Sequence, residues 1–184
     1  ISALPVRDRI AQHALCNVIE PLLDKTLLPR CYACRAGKGT HAGVKALQSD
    51  MRRLTRAGAQ LYALKTDFAR YFASIDRAVL HRMLRAKISC GATLRLIEAM
   101  VPPTGIGLPI GNLVSQLFAN IYAGPVDRLL QQELGESWWY RYMDDVVVLG
   151  TNPDHLRKVR DQIVALSAAR LGLRFSKWSI QPIN

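Results

Sequence analysis

No apolar run in this 184-residue chain approaches the roughly 20 residues needed to cross a bilayer. The opening residues, Ile1 to Arg9, also lack the charged-then-apolar order of a secretory signal. These absences argue against a membrane-embedded or exported protein and lead to the expectation of a soluble, cytoplasmic one. Cysteine is scarce: Cys16, Cys31, Cys34 and Cys90 are too few and too irregular for a disulfide framework. Cys31 and Cys34 form a CxxC pair, but zinc needs two further ligands and only His41 lies near, so buried thiols are preferred over a structural metal. Repeats, linkers and low-complexity stretches are missing too, which leaves one domain with room for two lobes.

Acidic side chains are the other shortage. Asp and Glu number 14 against 25 Lys and Arg, for a net charge of +11. The excess is concentrated early: residues 1–65 carry 11 basic and 4 acidic groups, and 66–184 carry 14 and 10. Such a balance fits a polyanionic partner, although the same charge also serves solubility.

What is present reads as alternating helix and strand. Apolar spacing predicts a helix over Val6 to Ile19, stopped by Pro21, and a second from His41 to Ala57, closed by Gly58. Between them Arg30, Arg35 and Lys38 sit with Gly37 and Gly39, basic groups on loosened backbone that suit phosphate. Gln60 to Thr66 reads as a strand delivering Asp67, and Asp76 as the cap of a helix through Val79, Leu80, Met83 and Leu84. A further helix spans Gly91 to Met100, a glycine-rich loop follows through Gly111, and a long helix runs from Leu113 to Leu130. Trp138–Met143 and Val146–Leu149 form a hairpin with Asp144 and Asp145 at its tip. A helix from Asn152 to Gly172 and a strand from Leu173 to Ile180 complete an α+β chain with the split βαβ plan of a ferredoxin-like antiparallel sheet.

The acidic pair carries the chemistry. Two adjacent carboxylates between apolar strands repel each other and resist desolvation, so a fold keeps both ionised when cations neutralise them. Two Mg²⁺ ions, with Mn²⁺ as the alternative, would do so and would activate a hydroxyl for phosphoryl transfer. The competing reading is a solvated turn, since Asp-Asp is a common turn dipeptide.

Context separates the two. Tyr142-Met143-Asp144-Asp145 resembles the YxDD box of reverse transcriptases, and Leu64-Lys65-Thr66-Asp67-Phe68 through Asp76 is similar to that family's first catalytic motif. Gly107-Leu108-Pro109-Ile110-Gly111 through Tyr122 resembles its second motif, and Leu171 to Pro182 its fourth palm motif. Val6–Ile10 and Tyr32–His41 resemble its fingers region. Ile110-Gly111 with Ser115-Gln116 is closer to diversity-generating retroelement enzymes than to group II intron enzymes, which carry glutamine-glycine and serine-proline there.

The resemblance implies a right-hand polymerase palm over 60–184, helical fingers over 1–59 with part of 77–105 contributing, and a missing primer-grip hairpin and thumb. It implies Asp67, Asp144 and Asp145 as catalytic and metal-binding residues, and Phe72 as the ring screening the sugar 2′ position. Gln116, Ser115, Gly111, Arg35 and Lys38 would contact nucleotide, and Lys177 would serve as a general acid. The implied partners are an RNA template, a DNA or RNA primer, dNTPs and an accessory protein of a retroelement, in a bacterial or phage-encoded cytoplasmic protein. A group II intron-like or defence-associated reverse transcriptase, an RNA-dependent RNA polymerase and a non-catalytic RNA-binding module are the rival readings.

Overall fold

A computed structural model describes residues 5–183 except 57, 59 and 110. Ala57, the expected end of the second helix, and Ile110 therefore lie outside the described residues. The chain divides into two compact units, 1–27 with 70–122, and 28–69 with 123–184.

The first unit is helical. It contains α1 (Val6–Asp24), α3 (Tyr71–Ser74), α4 (Arg77–Arg85), α5 (Gly91–Met100) and α6 (Leu113–Tyr122). Helix α1 runs through Pro21 rather than stopping before it. Pro21 removes one backbone donor, whose acceptor would be the Asn17 carbonyl, and both residues are exposed, so water satisfies that carbonyl at little cost. Its inward face, Leu15, Cys16, Ile19 and Leu23, is buried, and α1 and α4 both pack on α6. Helix α4 is capped as its sequence suggests: the Asp76 carboxylate accepts a bond from the Val79 N–H at 3.0 Å.

The second unit is built on a four-stranded sheet. Its strands are β1 (Leu61–Phe68), β2 (Trp139–Tyr142), β3 (Asp145–Gly150) and β4 (Phe175–Ile183), in the order β2-β3-β1-β4 with every neighbour antiparallel. That order places β1 between β3 and β4, the split βαβ arrangement. Strand alternation fixes two faces. On one, Leu61, Ala63, Tyr140 and Leu149 form a cluster covered by Leu47, Met51 and Leu54 of α2 (Thr40–Arg56). Beneath the other lies α8 (Pro153–Leu166), whose Arg160 stacks on Trp178 of β4 at 4.1 Å. Asn152 caps α8 by accepting from the Asp154 and His155 N–H groups.

The helix expected from Leu113 to Leu130 is broken. It ends at Tyr122 and resumes as α7 (Gly124–Arg128) and a π-helical turn (Leu129–Glu133). Pro125 cannot donate to the Ile121 carbonyl, so the ladder fails there despite continuous apolar spacing. Strand β1 is longer than expected and includes Asp67, while β4 is shifted towards the C-terminus. No helix among the described residues is long and apolar enough to cross a membrane.

Candidate active site

The register brings the carboxylates together. Thr66 pairs with Val146 and Lys65 with Val147, so continuing by one residue sets Asp145 across from Asp67. On the opposite side of β1, Asp67 pairs with Lys177. Asp145, Asp67 and Lys177 therefore stand abreast on the face that α2 covers only at its other end, with Asp144 in the adjoining turn. Lys65, two residues before Asp67, shares this face by simple alternation.

A cleft of about 660 Å³ opens here, lined by Lys65, Thr66, Asp67, Asp145, Ser176, Lys177, Trp178 and Ser179. Ser176 Oγ donates to Asp67 Oδ2 and also to the Asp67 carbonyl at 3.2 Å. A β-bulge between Asp67 and Phe68 shifts β4 at this point and brings Ser176 beside the carboxylate. Neither Lys65 nor Ser176 was singled out from the sequence, although the period-2 pattern around Asp67 contains Lys65.

Burial raises the Asp144 carboxyl above its ordinary range, and the charges of Asp145 and Asp67 add to the rise. Asp145 is raised in the same way, by partial burial and then by Asp67, with Lys65 opposing. Asp144 thus feels the charges of Asp145 and Asp67, and Asp145 that of Asp67. Among the described residues no three His, Cys, Asp or Glu side chains are gathered tightly enough to enclose one ion. The donor set nevertheless fits a hard divalent cation in kind, since it is all carboxylate oxygen on an open face.

A stability consequence follows from the sign of the Asp144 shift. A carboxyl raised in the folded state costs stability when ionised, and that cost disappears as pH falls through the folded value. Asp144→Asn is therefore expected to raise the melting temperature at pH 7, without divalent cation, by about 1–2 °C. The gain over wild type should vanish near pH 4. Thermal melts at the two pH values check this, and an equal gain at both would contradict it.

The basic loop residues are engaged locally. Arg35 donates to the Leu28 and Cys31 carbonyls at 2.8 and 3.1 Å, and Lys38 donates to the Pro29 carbonyl and lies 5.2 Å over the Tyr32 ring. Cys31 is buried, with its thiol pushed up to about 12 by desolvation, whereas Cys34 is exposed.

Four other candidates belong to the first unit. Phe72 is half-buried, with its ring edge-on to Tyr71 at 5.8 Å, and its carbonyl accepts from the Leu108 N–H. Gly111 has φ +104, a conformation open to glycine. Upstream in the same loop, Gly107 has φ +93 and a Cβ there would stand 3.2 Å from the Ala73 carbonyl, so both space and backbone demand glycine. Ser115 is buried and its hydroxyl has no hydrogen-bond partner among the described residues, while Gln116 is exposed.

Comparison with known proteins gives a consistent picture. The family profile described as "Reverse transcriptase (RNA-dependent DNA polymerase)" matches residues 1–181. "Protein YkfC" of Escherichia coli (strain K12) is 21% identical over 137 residues, covering 69% of this chain and 36% of that protein. Among solved structures, the apo telomerase of Candida tropicalis truncated from its C-terminal domain is similar, with a TM-score of 0.68 at 13% identity, over 96% of this chain and 40% of that one. The telomerase of Candida albicans in complex with a fragment of telomeric RNA gives 0.65 at 15% identity, over 96% and 33%. The chain thus spans roughly a third to two-fifths of the length of these proteins, and at such identities the structural likeness speaks for the fold.

Proposed function

The chain belongs to the reverse transcriptase (RNA-dependent DNA polymerase) family, and from that membership we propose that it carries the polymerising centre of an enzyme that copies RNA into DNA. The observation supporting this most directly is the register that aligns Asp145 with Asp67 and leaves Asp144 in the neighbouring turn. In this reading Asp67, Asp144 and Asp145 hold two Mg²⁺ ions, for which Mn²⁺ can substitute. Bound there, such ions supply Lewis acidity for the primer 3′-hydroxyl and for the leaving oxygen.

The remaining residues position and discriminate. Lys177, abreast of Asp67, is placed to give a proton to the departing pyrophosphate. Arg35 and Lys38 take triphosphate or template oxygens in exchange for the loop carbonyls they now hold. Gly111, Ser115 and Gln116 contact the incoming nucleotide, and Phe72 fills the space of a ribose 2′-hydroxyl. Residues 1–59 serve as fingers and 60–184 as palm. An RNA template is the expected partner, as RNA is for the Candida albicans telomerase structure.

Primer extension by the purified protein on an RNA template, with Mg²⁺ and either dNTPs or rNTPs, tests the proposal. Extension with dNTPs that stops on chelation is expected; extension with rNTPs alone would identify an RNA polymerase, and tight RNA binding without extension a binding module. Phe72→Val should raise rNTP incorporation relative to dNTP by roughly tenfold or more, because the excluded volume is lost. Single-nucleotide incorporation rates measure this ratio, and an unchanged ratio would remove Phe72 from the role.

Within the family we place the chain nearest diversity-generating retroelement enzymes, on Gly111 and Ser115-Gln116, with an accessory protein as further partner. Errors concentrated at template adenines would support that lineage. Faithful copying would favour a group II intron-like or defence-associated enzyme.

A further inference from the structure

The turn bearing Asp144 is held by a buried side chain that the chemistry above does not use. Met143, immediately before Asp144, has φ +56, a left-handed conformation that non-glycine residues seldom adopt. Its carbonyl accepts from Arg141 Nη1 at 3.0 Å. The same guanidinium grips Asp127 of α7 with two parallel bonds, Nε to Oδ1 at 2.7 Å and Nη2 to Oδ2 at 2.8 Å. Its Nη2 also contacts the Cys31 thiol at 3.3 Å, and that thiol donates to Asp127 Oδ2 at 3.0 Å. Arg141 and Asp127 are 0% and 1% exposed.

The backbone of Arg141 is fixed as well. Its N–H donates to the Arg30 carbonyl and its carbonyl accepts from the Tyr32 N–H, at 3.0 and 2.9 Å. Both the backbone and the guanidinium of this residue are thus tied down, and Nη1 reaches the peptide that joins Met143 to Asp144. A buried ion pair is a poor choice if stability alone is at stake, because apolar residues of similar volume serve that purpose as well or better. A planar cation bridging a fixed helix carboxylate and a turn carbonyl does something that apolar packing does not: it sets the orientation of one peptide plane.

We propose that Arg141 is a positioning residue, braced on Asp127, that orients the Met143–Asp144 peptide and so aims the Asp144 carboxylate at the cation site. This rests on the polymerase reading of Asp144. Arg141→Lys keeps the buried charge, but an ammonium cannot grip Asp127 in a fork and reach the Met143 carbonyl together.

The test is Mn²⁺ titration followed by electron paramagnetic resonance, alongside kcat and KM for dNTP. In Arg141→Lys, Mn²⁺ affinity is expected to fall about tenfold and kcat by about 10–100-fold, with KM for dNTP little changed. Leu156→Ala, a buried α8 substitution, supplies a destabilised control that should keep both values within about twofold of wild type. Wild-type Mn²⁺ affinity in Arg141→Lys, or losses in the control that match it at equal melting temperature, would overturn the assignment. If Arg141→Lys does not fold, Asp127→Asn takes its place, with a drop of about threefold expected and a wild-type value decisive against. A wild-type protein that binds no Mn²⁺ overturns the brace too. One that binds Mn²⁺ but extends no primer overturns the polymerase reading alone, and the affinity series still decides the role of Arg141.

Discussion

Replacing Arg141 by methionine is expected to destabilise the fold by about 3–5 kcal/mol, because it leaves the Asp127 carboxyl in the core without its counter-charge. For a chain of this size that lowers the melting temperature by roughly 10 °C. The expectation follows from burial: both partners are essentially inaccessible, and the two parallel bonds between them are short. Cys31 cannot compensate. Its thiol is a weak donor already directed at Asp127, and burial holds it far from ionisation. The double substitution Asp127→Leu with Arg141→Met should recover most of the loss, to within about 1 kcal/mol of wild type, since the costly element is the unpaired charge rather than the missing pair. Denaturant melts of the single and double variants measure the difference. A single-variant cost under about 1 kcal/mol would show that water reaches Asp127.

This pair was invisible in the sequence for a physical reason. Arg141 lies between two tyrosines, and a basic residue in that setting reads as the solvent-facing member of a strand. The structure buries both faces here: Trp139, Tyr140 and Arg141 are all buried, and within the strand Tyr142 alone is exposed, at 41%. Only the docking of α7 beneath the sheet, 14 residues earlier in the chain, makes a buried guanidinium tolerable, and nothing local signals that docking. The strands themselves were legible because alternation and turn residues are local, and the split βαβ order followed from their sequence of appearance. Helix ends were harder. Pro21 failed to stop α1 because the carbonyl it leaves unpaired faces water, and Pro125 broke a helix whose apolar spacing continues.

The candidate site divides along the same line. Asp67, Asp144 and Asp145 lie near strand ends and in a hairpin turn, where sequence patterns are clearest, and their register could be anticipated once the strand order was known. Lys177 was found through a loosely aligned motif, and it stands opposite Asp67 in the regular β1–β4 register. Ser176 enters through the bulge that follows, which no pattern announces. Arg35 and Lys38 were chosen for charge and loosened backbone, and the structure shows what charge alone omits, namely carbonyls of their own loop already accepting from them.

Asp144→Asn is expected to cut the rate of primer extension by roughly 10³-fold or more, equivalent to about 4 kcal/mol of transition-state stabilisation. Asp67→Ala should lose at least as much. The reasoning begins with charge. Asp144 is the most desolvated member of the pair, its carboxyl is raised by burial and by its neighbours, and a neutral amide of the same shape relieves that repulsion while removing an anionic oxygen. The same substitution should therefore stabilise the folded chain at pH 7 and abolish catalysis. These opposed signs distinguish a catalytic carboxylate from a scaffold residue, for which lost activity and lost stability go together, as they should in Arg141→Met. Asp67→Ala lacks this signature in part, because it also frees Ser176 from its acceptor. Single-turnover extension, with melting temperatures measured on the same preparations, supplies both readouts. An Asp144→Asn protein that extends primers at more than about a tenth of the wild-type rate would take Asp144 out of the catalytic centre. An inactive variant that is also less stable would mean that the turn, and not the carboxylate, was lost.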